Sequence, residues 1–155
     1  MTRLRLIGLG GTIAFTGSST GAVPSLSAGD LPFSPETGDK ISSVDVANIS
    51  SIGVGPAHLV QLVAEIEKAV KERCEGVVVS HGTDTMEESV YLAALTVERS
   101  QVPIVFTGAM RHHGSRGSDG DANLADAFAV ARQGARAGLL GPCVVMNGVD
   151  RKSVV

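Results

Sequence analysis

Short runs of aliphatic and β-branched residues alternate along the chain with stretches whose apolar positions recur every three to four residues. The short runs predict strands at Leu4–Leu9, Ile41–Ile49, Gly76–Ser80, Pro103–Thr107 and Cys143–Asn147. The stretches with helical spacing predict helices at Pro56–Arg73, Asp84–Ser100 and Asp121–Ala137. Because strands that alternate with helices indicate βαβ units, we predict an α/β fold. Its parallel, doubly wound sheet would be covered by helices on both faces, which gives three layers.

Two segments carry further local signals. Residues Phe15–Lys40 are rich in glycine, serine and proline, which predicts a long loop. Loops of that length are usually functional or mobile. Asp84 and Glu87 have the spacing of a capping box, which favours a helix that begins at Asp84.

The composition is that of one globular domain with a mainly aliphatic core. Of the 155 residues, 43% are apolar and 19% charged, and the aromatic residues are four Phe and one Tyr. The net charge of −3 argues against a nucleic-acid partner and against a basic membrane-binding patch. No apolar run approaches transmembrane length. Cys74 and Cys143 lack metal-ligand spacing and indicate free thiols in a reducing compartment, so a cytoplasmic protein is predicted.

Candidate chemistry follows three of the predicted strands. The segments are Gly10–Thr12, His81–Thr85 and Gly108–Arg111. In an open parallel sheet, ligands bind beyond the carboxyl ends of the strands, so these segments are expected to converge on one crevice. Bare backbone amides and threonine hydroxyls in such a crevice suit an anion or a developing oxyanion.

Each of these residues also has a purely structural interpretation. Asp84 has the spacing of a helix cap, Thr83 and Thr12 fit ordinary loop and turn positions, and 114–121 fits a flexible surface loop. His112 and His113 are adjacent on a loop and have no third ligand at suitable spacing, so no metal is expected.

Two familiar motifs match by their letters alone. The run from Gly8 begins like a dinucleotide-binding fingerprint, but Ile13 stands at the third glycine position and a poor helix former follows. The run Gly17–Gly21 matches the pattern GxSxG, but a nucleophile elbow needs a strand before it and a helix after it. A nucleotide-binding domain is therefore disfavoured, and no cofactor is expected.

Three motifs together resemble bacterial-type L-asparaginases. They are GGTIA at Gly10–Ala14, HGTDTMEE at His81–Glu88, and TGAMR at Thr107–Arg111, the last followed by Asp119-Gly120 and Asn123-Leu124. They arrive in that family's order. The resemblance covers residues 3 to 147 and implies the larger, N-terminal domain of the family.

The resemblance implies hydrolysis of the asparagine side-chain amide through an acyl-enzyme. Thr12 would be the nucleophile, Thr83 the second threonine near the same carbonyl, and Asp84 the carboxylate that pairs with the substrate's α-ammonium. A threonine hydroxyl is a poor nucleophile at neutral pH and needs an activating neighbour.

The resemblance also implies a set of substrate-binding groups. Ser51 would hold the α-carboxylate, Gly82 would bring the main chain close to the substrate, and the Ala109 carbonyl would accept from the amide nitrogen. The implied partner is a small molecule, asparagine or glutamine, and the implied full-length form is a homodimer or homotetramer.

The chain departs from the family pattern in three ways. The position of the family's triad lysine lies past Val155, and Lys152 comes too early to fill it. The loop after GGTIA has no tyrosine, because the single tyrosine is Tyr91. The smaller C-terminal domain of the family is missing. We therefore expect the chain by itself to be weakly active or inactive.

The last six residues differ in character from the rest. We expect a domain over residues 1–149 and an unrelated tail over 150–155. The DNA sequence GATCGGAAGAGCGTCGTG, a sequencing-adapter sequence, encodes DRKSVV, so the tail is hypothesised to be an artefact. Unrelated codons over these residues in the coding DNA would reject that hypothesis.

Other functions remain open at this point. The same motifs fit glutaminase-asparaginases, and they occur in the amidase subunit of a tRNA-dependent amidotransferase, which has an extra domain ahead of its GGT motif. A further alternative is a non-catalytic fragment that binds amino acids.

Overall fold

A computed structural model describes residues 2–19, 21–33, 38–97, 101–134 and 136–153. Within these residues the strands are β1 (Arg3–Gly10), β2 (Phe15–Ser18), β3 (Gly21–Pro24), β4 (Lys40–Ile49), β5 (Gly76–Ser80), β6 (Pro103–Thr107), β7 (Gly141–Met146) and β8 (Val149–Ser153). The α-helices are α1 (Pro56–Lys71), α2 (Met86–Thr96) and α3 (Gly120–Gln133).

The main sheet has the strand order β4-β1-β5-β6-β7-β8. Its first five strands run parallel to one another, and β8 pairs antiparallel with β7 at the edge. β1 lies between β4 and β5. After β1 the chain adds β4 at one side of β1 and then crosses to add β5 at the other side, so the direction in which strands are added reverses at β1. Such a reversal opens a crevice at the carboxyl ends of the two central strands, which is where ligands bind in folds of this kind.

Side chains alternate between the two faces of the sheet and build a core on each. On one face, Val77, Val79 and their strand neighbours pack against α1 and α2, through residues such as Ile66 and Val90. On the other face, Val78 and Val105 pack against the inner side of α3. The prediction of a three-layer α/β fold with a parallel sheet is confirmed, because short runs that are buried on both faces belong to covered parallel strands.

The predicted strands match the observed ones closely. β5 and β6 have the predicted bounds, while β1, β4 and β7 are each shifted or extended by one or two residues. α1 begins at Pro56 as predicted, and proline at a first helical position gives up an amide that has no partner within the helix in any case. β8 was not predicted.

The prediction that the second helix begins at Asp84 is wrong. α2 begins at Met86, and Thr85 stands at its N-cap without a side-chain capping bond. The capping box fails because the Asp84 carboxylate accepts a hydrogen bond from the Ser51 hydroxyl, 33 positions away, instead of binding the helix terminus. The helix ends at Thr96, and its predicted end at Ser100 lies outside the described residues.

The prediction that Phe15–Lys40 is one long loop is also wrong. It contains the antiparallel hairpin of β2 and β3 and a short 3₁₀ turn at Ala28–Asp30; residues 34–37 lie outside the described part. The segment after the hairpin is tied to the sheet, since the Asp45 carboxylate accepts from the Ala28 amide at 2.8 Å. Farther along, the Phe33 ring stacks on Phe128 of α3, with ring centroids 3.9 Å apart. These contacts are long-range, so local composition did not predict them.

Two further predictions concern the cysteines and the tail. Cys74 and Cys143 are both buried, and neither is in a disulfide bond. Residues 149–153 pair with β7 through backbone bonds, and an unrelated tail at 150–155 stays a prediction.

Within the described residues, no helix combines the length and the apolar character that a bilayer crossing requires.

Candidate functional site

The turn after β1 brings the backbones of three segments into contact. Gly10 and Gly11 have φ of 86° and 78°, in the region that favours glycine. A Cβ atom on Gly11 would overlap the Cα and N atoms of Gly82, which follows β5. One on Gly10 would overlap the backbone N of Ile49, at the end of β4, and Gly11 N donates to Ile49 O at 2.9 Å. The two glycines therefore let the carboxyl ends of β1, β4 and β5 approach one another without intervening side chains.

Ser51 and Asp84 form the central side-chain contact of the site, which we call the Ser51–Asp84 pair. The Ser51 hydroxyl donates to Asp84 Oδ2 at 2.9 Å, and the Asp84 amide donates to Ser51 Oγ at 3.2 Å. Thr85 Oγ1 adds a bond to the Ser51 carbonyl at 2.9 Å. Ser51 is buried, and a Cβ atom on Gly82 would lie only 2.5 Å from its Oγ. The serine is thus enclosed by the loop after β5.

The carboxylate of this pair faces solvent. Asp84 is exposed, whereas Ser51 lies beneath it. An exposed carboxylate beside a hydroxyl and backbone amides offers an anion and hydrogen-bond donors within a few ångströms of one another. Chemically, that arrangement suits a small ligand that carries both a cation and an anion.

The turn after β6 packs on the same loop. His81 N donates to Thr107 O at 2.9 Å. A Cβ atom on Gly108 would lie 2.5 Å from the His81 carbonyl and 3.4 Å from Thr83 Cγ2. Ala109 follows and is buried. The turn that carries Ala109 therefore lies against the loop that carries Thr83.

Two threonines of the site, Thr12 and Thr83, have hydroxyls without a hydrogen-bond partner among the described residues. Thr12 opens a 3₁₀ turn at Thr12–Ala14 and is half-buried, as is Thr83. The structure thus joins the segments of all six predicted site residues at one edge of the sheet, and it puts Ser51 and Asp84 in direct contact. The roles of Thr12, Thr83, Asp84, Ser51, Gly82 and Ala109 stay predictions.

His81 is a buried residue of this site that the sequence analysis did not single out. Its Nδ1 lies 2.7 Å from the Gly82 carbonyl, and its Nε2 lies 2.8 Å from Ser89 Oγ on α2. A carbonyl only accepts, so Nδ1 carries the proton. In the neutral ring Nε2 is then an acceptor for the Ser89 hydroxyl, which also lies 3.2 Å from the Thr85 carbonyl. The signal available in the sequence was a histidine at the end of a fully apolar strand. It joins the β5–α2 loop to the helix that follows.

Burial lowers the pKa of His81, because a charged imidazolium loses its hydration; the bond to Gly82 and the nearby Glu88 oppose this effect. In the unfolded chain the ring takes up a proton near pH 6.5, whereas the folded chain takes it up only at lower pH. We therefore expect stability to fall as pH drops below 6.5, with a slope of at most about 1.4 kcal/mol per pH unit from this residue.

Urea unfolding from pH 8 to pH 5 measures this effect. His81→Gln should show a shallower loss of stability over that range than the wild-type chain. The difference in unfolding free energy between the two proteins at pH 8 serves as the baseline, because the His81 ring is then neutral in both the folded and the unfolded wild-type chain. Parallel curves for the two proteins would contradict the assignment.

Asp119 is a second residue that the sequence analysis did not assign a role. Burial by itself raises the pKa of Asp119, but the hydrogen bonds that its carboxylate accepts, first from the amides of Met110 and Arg111, together lower it. Asp119 therefore carries a stable negative charge behind the turn after β6.

The adjacent histidines lie on the loop that follows this turn. His113 N donates to Phe15 O on the hairpin at 2.9 Å, and His113 Nδ1 lies 3.5 Å from Asp121 Oδ1. His112 Nδ1 lies 3.0 Å from the His113 carbonyl. Among the described residues, no group of three or more histidine, cysteine or acidic side chains is arranged to hold a metal ion.

Comparisons with known proteins agree on one family. The family model "Asparaginase, N-terminal" matches residues 3–149. The probable L-asparaginase of Deinococcus radiodurans is 40% identical over 153 residues, which cover 96% of this chain and 45% of that protein. The glutaminase-asparaginase of Acinetobacter glutaminasificans is 32% identical over 151 residues, covering 92% of this chain and 45% of that protein.

A solved structure gives the same result. The crystal structure of a probable cytoplasmic L-asparaginase from Campylobacter jejuni superposes with a TM-score of 0.76 at 30% identity. The superposition covers 95% of this chain and 45% of that one. The chain thus spans slightly less than half the length of these relatives. By sequence, fold and the arrangement of the three motifs, the chain belongs to the asparaginase family and corresponds to its N-terminal domain.

Proposed function

We propose that the chain carries the nucleophile and the amino-acid-binding groups of an L-asparagine amidohydrolase, which converts asparagine and water to aspartate and ammonia. The observation that carries the proposal is the Ser51–Asp84 pair at the carboxyl ends of β4 and β5, with Thr83 on the loop that carries Asp84 and Thr12 on the turn after β1, the strand between them. Family membership adds the reaction class.

Recognition of a free amino acid needs opposite charges close together. Asp84 would pair with the α-ammonium, since its carboxylate is exposed and accepts from the Ser51 hydroxyl, while the Asp84 amide donates to the same hydroxyl oxygen. Ser51 would turn its hydroxyl from Asp84 to the α-carboxylate. Charge-assisted bonds of this kind are about twice as strong as neutral ones.

Thr12 would carry out the chemistry. Its Oγ1 attacks the side-chain carboxamide carbon, and the negative charge on the carbonyl oxygen is stabilised by backbone amides that the adjacent glycines expose. The C–N bond breaks, and the nitrogen leaves as ammonia with the proton from the Thr12 hydroxyl. Water then cleaves the acyl-threonine ester and releases aspartate. Thr83 would stand near the same carbonyl.

Several features of the whole protein belong to the same proposal. Glutamine is a second candidate substrate, because a relative of similar coverage is named a glutaminase-asparaginase. The complete enzyme would be a cytoplasmic homodimer or homotetramer. We expect little turnover from this chain alone, because it matches the N-terminal domain of the family and covers 45% of the Deinococcus radiodurans relative.

Binding of L-aspartate to the 155-residue chain, followed by calorimetry or NMR titration, tests the recognition step. Asp84→Asn is expected to weaken this binding by about tenfold or more, since a hydrogen bond to a charged group is worth about 1.5–3 kcal/mol. Glu87→Gln is the matched control, because it removes the same charge from an exposed position three residues away. Equal affinities for all three proteins, or no binding by the wild-type chain, would overturn the proposed recognition.

Ammonia release tests the catalytic step. The assay uses a chimaera in which residues 3–149 replace the matching segment of the Deinococcus radiodurans relative. Release of ammonia from L-asparagine is the expected result. A folded chimaera that binds aspartate but releases no ammonia would favour the alternative of a non-catalytic amino-acid-binding domain.

A further inference from the structure

Two side chains hold the turn that carries Ala109: Asp119, at the N-cap of α3, and Asn123, in the first turns of that helix. Asp119 accepts from the Met110 amide at 3.1 and 3.0 Å, one distance for each carboxylate oxygen, and from the Arg111 amide at 2.9 Å. Asn123 Nδ2 donates to the Gly108 carbonyl at 2.9 Å. The backbone is thus fixed on both sides of Ala109.

These two side chains also fix each other. Asn123 Nδ2 donates to Asp119 Oδ2 at 3.0 Å, and Asn123 Oδ1 accepts from the Asn147 amide after β7 at 2.9 Å. Asn123 is buried, and it lies one helical turn beyond Asp119, so both side chains face the turn after β6. A buried amide with its donors and acceptor satisfied is a rigid element.

The Ala109 carbonyl itself is left without a partner. Within the described part of the chain, no donor reaches it, whereas the two preceding carbonyls, of Thr107 and Gly108, are both used. A carbonyl without a partner in the chain is available to a donor on a ligand. The direction of the Ala109 carbonyl is set by the hydrogen bonds that hold the backbone before and after it.

We propose that Asp119 and Asn123 are positioning residues that aim the Ala109 carbonyl at the amide nitrogen of the substrate, and so favour asparagine over aspartate at this position. The inference rests on the proposed function and on the role that the family resemblance gives the Ala109 carbonyl. Asparagine presents an N–H donor to this carbonyl, whereas aspartate presents only an oxygen. Loss of the positioning therefore weakens asparagine binding and leaves aspartate binding unchanged.

The test compares the affinities of the 155-residue chain for L-asparagine and L-aspartate by NMR titration. In Asp119→Asn, the ratio of Kd for asparagine to Kd for aspartate is expected to rise about three- to tenfold, the value of one hydrogen bond. The Met110 and Arg111 amides should exchange with solvent at least about tenfold faster than in the wild-type chain, with the β6 amides unchanged. Asp121→Asn, two positions along the same helix and exposed, should leave the ratio and the exchange rates at wild-type values.

The outcomes separate the two hypotheses. If Asp119→Asn weakens both ligands equally, the residue supports the fold only and the inference is wrong, while the proposed function stands. If the wild-type chain binds neither amino acid, the proposed function fails and the inference fails with it. If Asp119→Asn does not fold, Asp119→Ser, which keeps a short oxygen acceptor, is used in its place. The ratio of Kd for asparagine to Kd for aspartate should rise in that variant too.

Discussion

Replacing Thr12 with alanine is expected to abolish ammonia release from L-asparagine in the chimaera, by about 10³-fold or more in kcat. The reason is that the acyl-enzyme cannot form without the hydroxyl, and removal of a nucleophile is among the most damaging changes in enzymes that use one. Binding of L-aspartate should change by less than about threefold, because Thr12 lies on the turn after β1 and the charge-recognising groups belong to the Ser51–Asp84 pair.

Two controls make this result specific. Thr96→Ala removes the same hydroxyl from the exposed end of α2, where Thr96 Oγ1 donates only to the Leu92 carbonyl, and activity should stay at the level of the unmutated chimaera. Thr12→Ser keeps a hydroxyl at the site and should retain measurable release. Undiminished turnover in Thr12→Ala would reject Thr12 as the nucleophile and make Thr83, whose hydroxyl has no partner among the described residues, the next candidate.

Replacing Gly11 with alanine is expected to destabilise the chain by about 3 kcal/mol or more, measured by urea unfolding. Two effects add. The backbone of Gly11, with φ 78° and ψ 179°, lies in a region that is essentially restricted to glycine, and such strain costs about 1–3 kcal/mol. In addition, the new methyl group would overlap the Cα and N atoms of Gly82, and overpacking of this kind costs about 1–3 kcal/mol. Since backbone cannot rotate away as a side chain can, the loops after β1 and β5 must separate.

Gly138→Ala is a control that places a methyl group at a positive φ without overlap. Gly138 has a φ of 79°, close to that of Gly11, but a Cβ atom there meets nothing within 4 Å. Its loss of stability should therefore reflect backbone strain alone and be clearly smaller. Equal losses for the two variants would mean that contact with Gly82 contributes nothing. If Gly11→Ala stays folded, we also expect weaker binding of L-aspartate, because Gly82 covers Ser51.

Local pattern was sufficient for most of the fold because each strand is buried on both faces. In β5 the valines at 77, 78 and 79 are buried in apolar clusters on the two faces of the sheet, so they form a continuous apolar run that needs no long-range information to be found. The same holds for the apolar stripe of α1, whose buried positions Leu62, Ile66 and Ala69 follow the helical period.

Local pattern gave wrong predictions of secondary structure where a polar group forms its hydrogen bond with a residue that is distant in the chain. The spacing of Asp84 and Glu87 was correct for a capping box, yet the carboxylate binds Ser51 and the helix begins two residues later. The hairpin after Thr12 was missed because its contacts, such as Thr16 Oγ1 with Ser25 Oγ at 2.8 Å, join residues of ordinary loop composition. Propensity is a weak prior, and tertiary hydrogen bonds outweigh it.

The sequence alone determined the α/β class, the positions of the parallel strands, the family and the three segments that carry candidate chemistry, because these depend on short-range periodicity and on motifs that are contiguous in the chain. Only the tertiary structure decided that Ser51 holds Asp84, that Gly11 lies against Gly82, that His81 is buried as a neutral ring, and that Asp119 and Asn123 fix the turn at Ala109. The Ser51–Asp84 and Gly11–Gly82 contacts join segments that are distant in the chain and that the order of strands brings together. The bonds of His81, Asp119 and Asn123 depend on how the loops fold, and a hydrogen bond forms with whichever group the fold brings within about 3 Å.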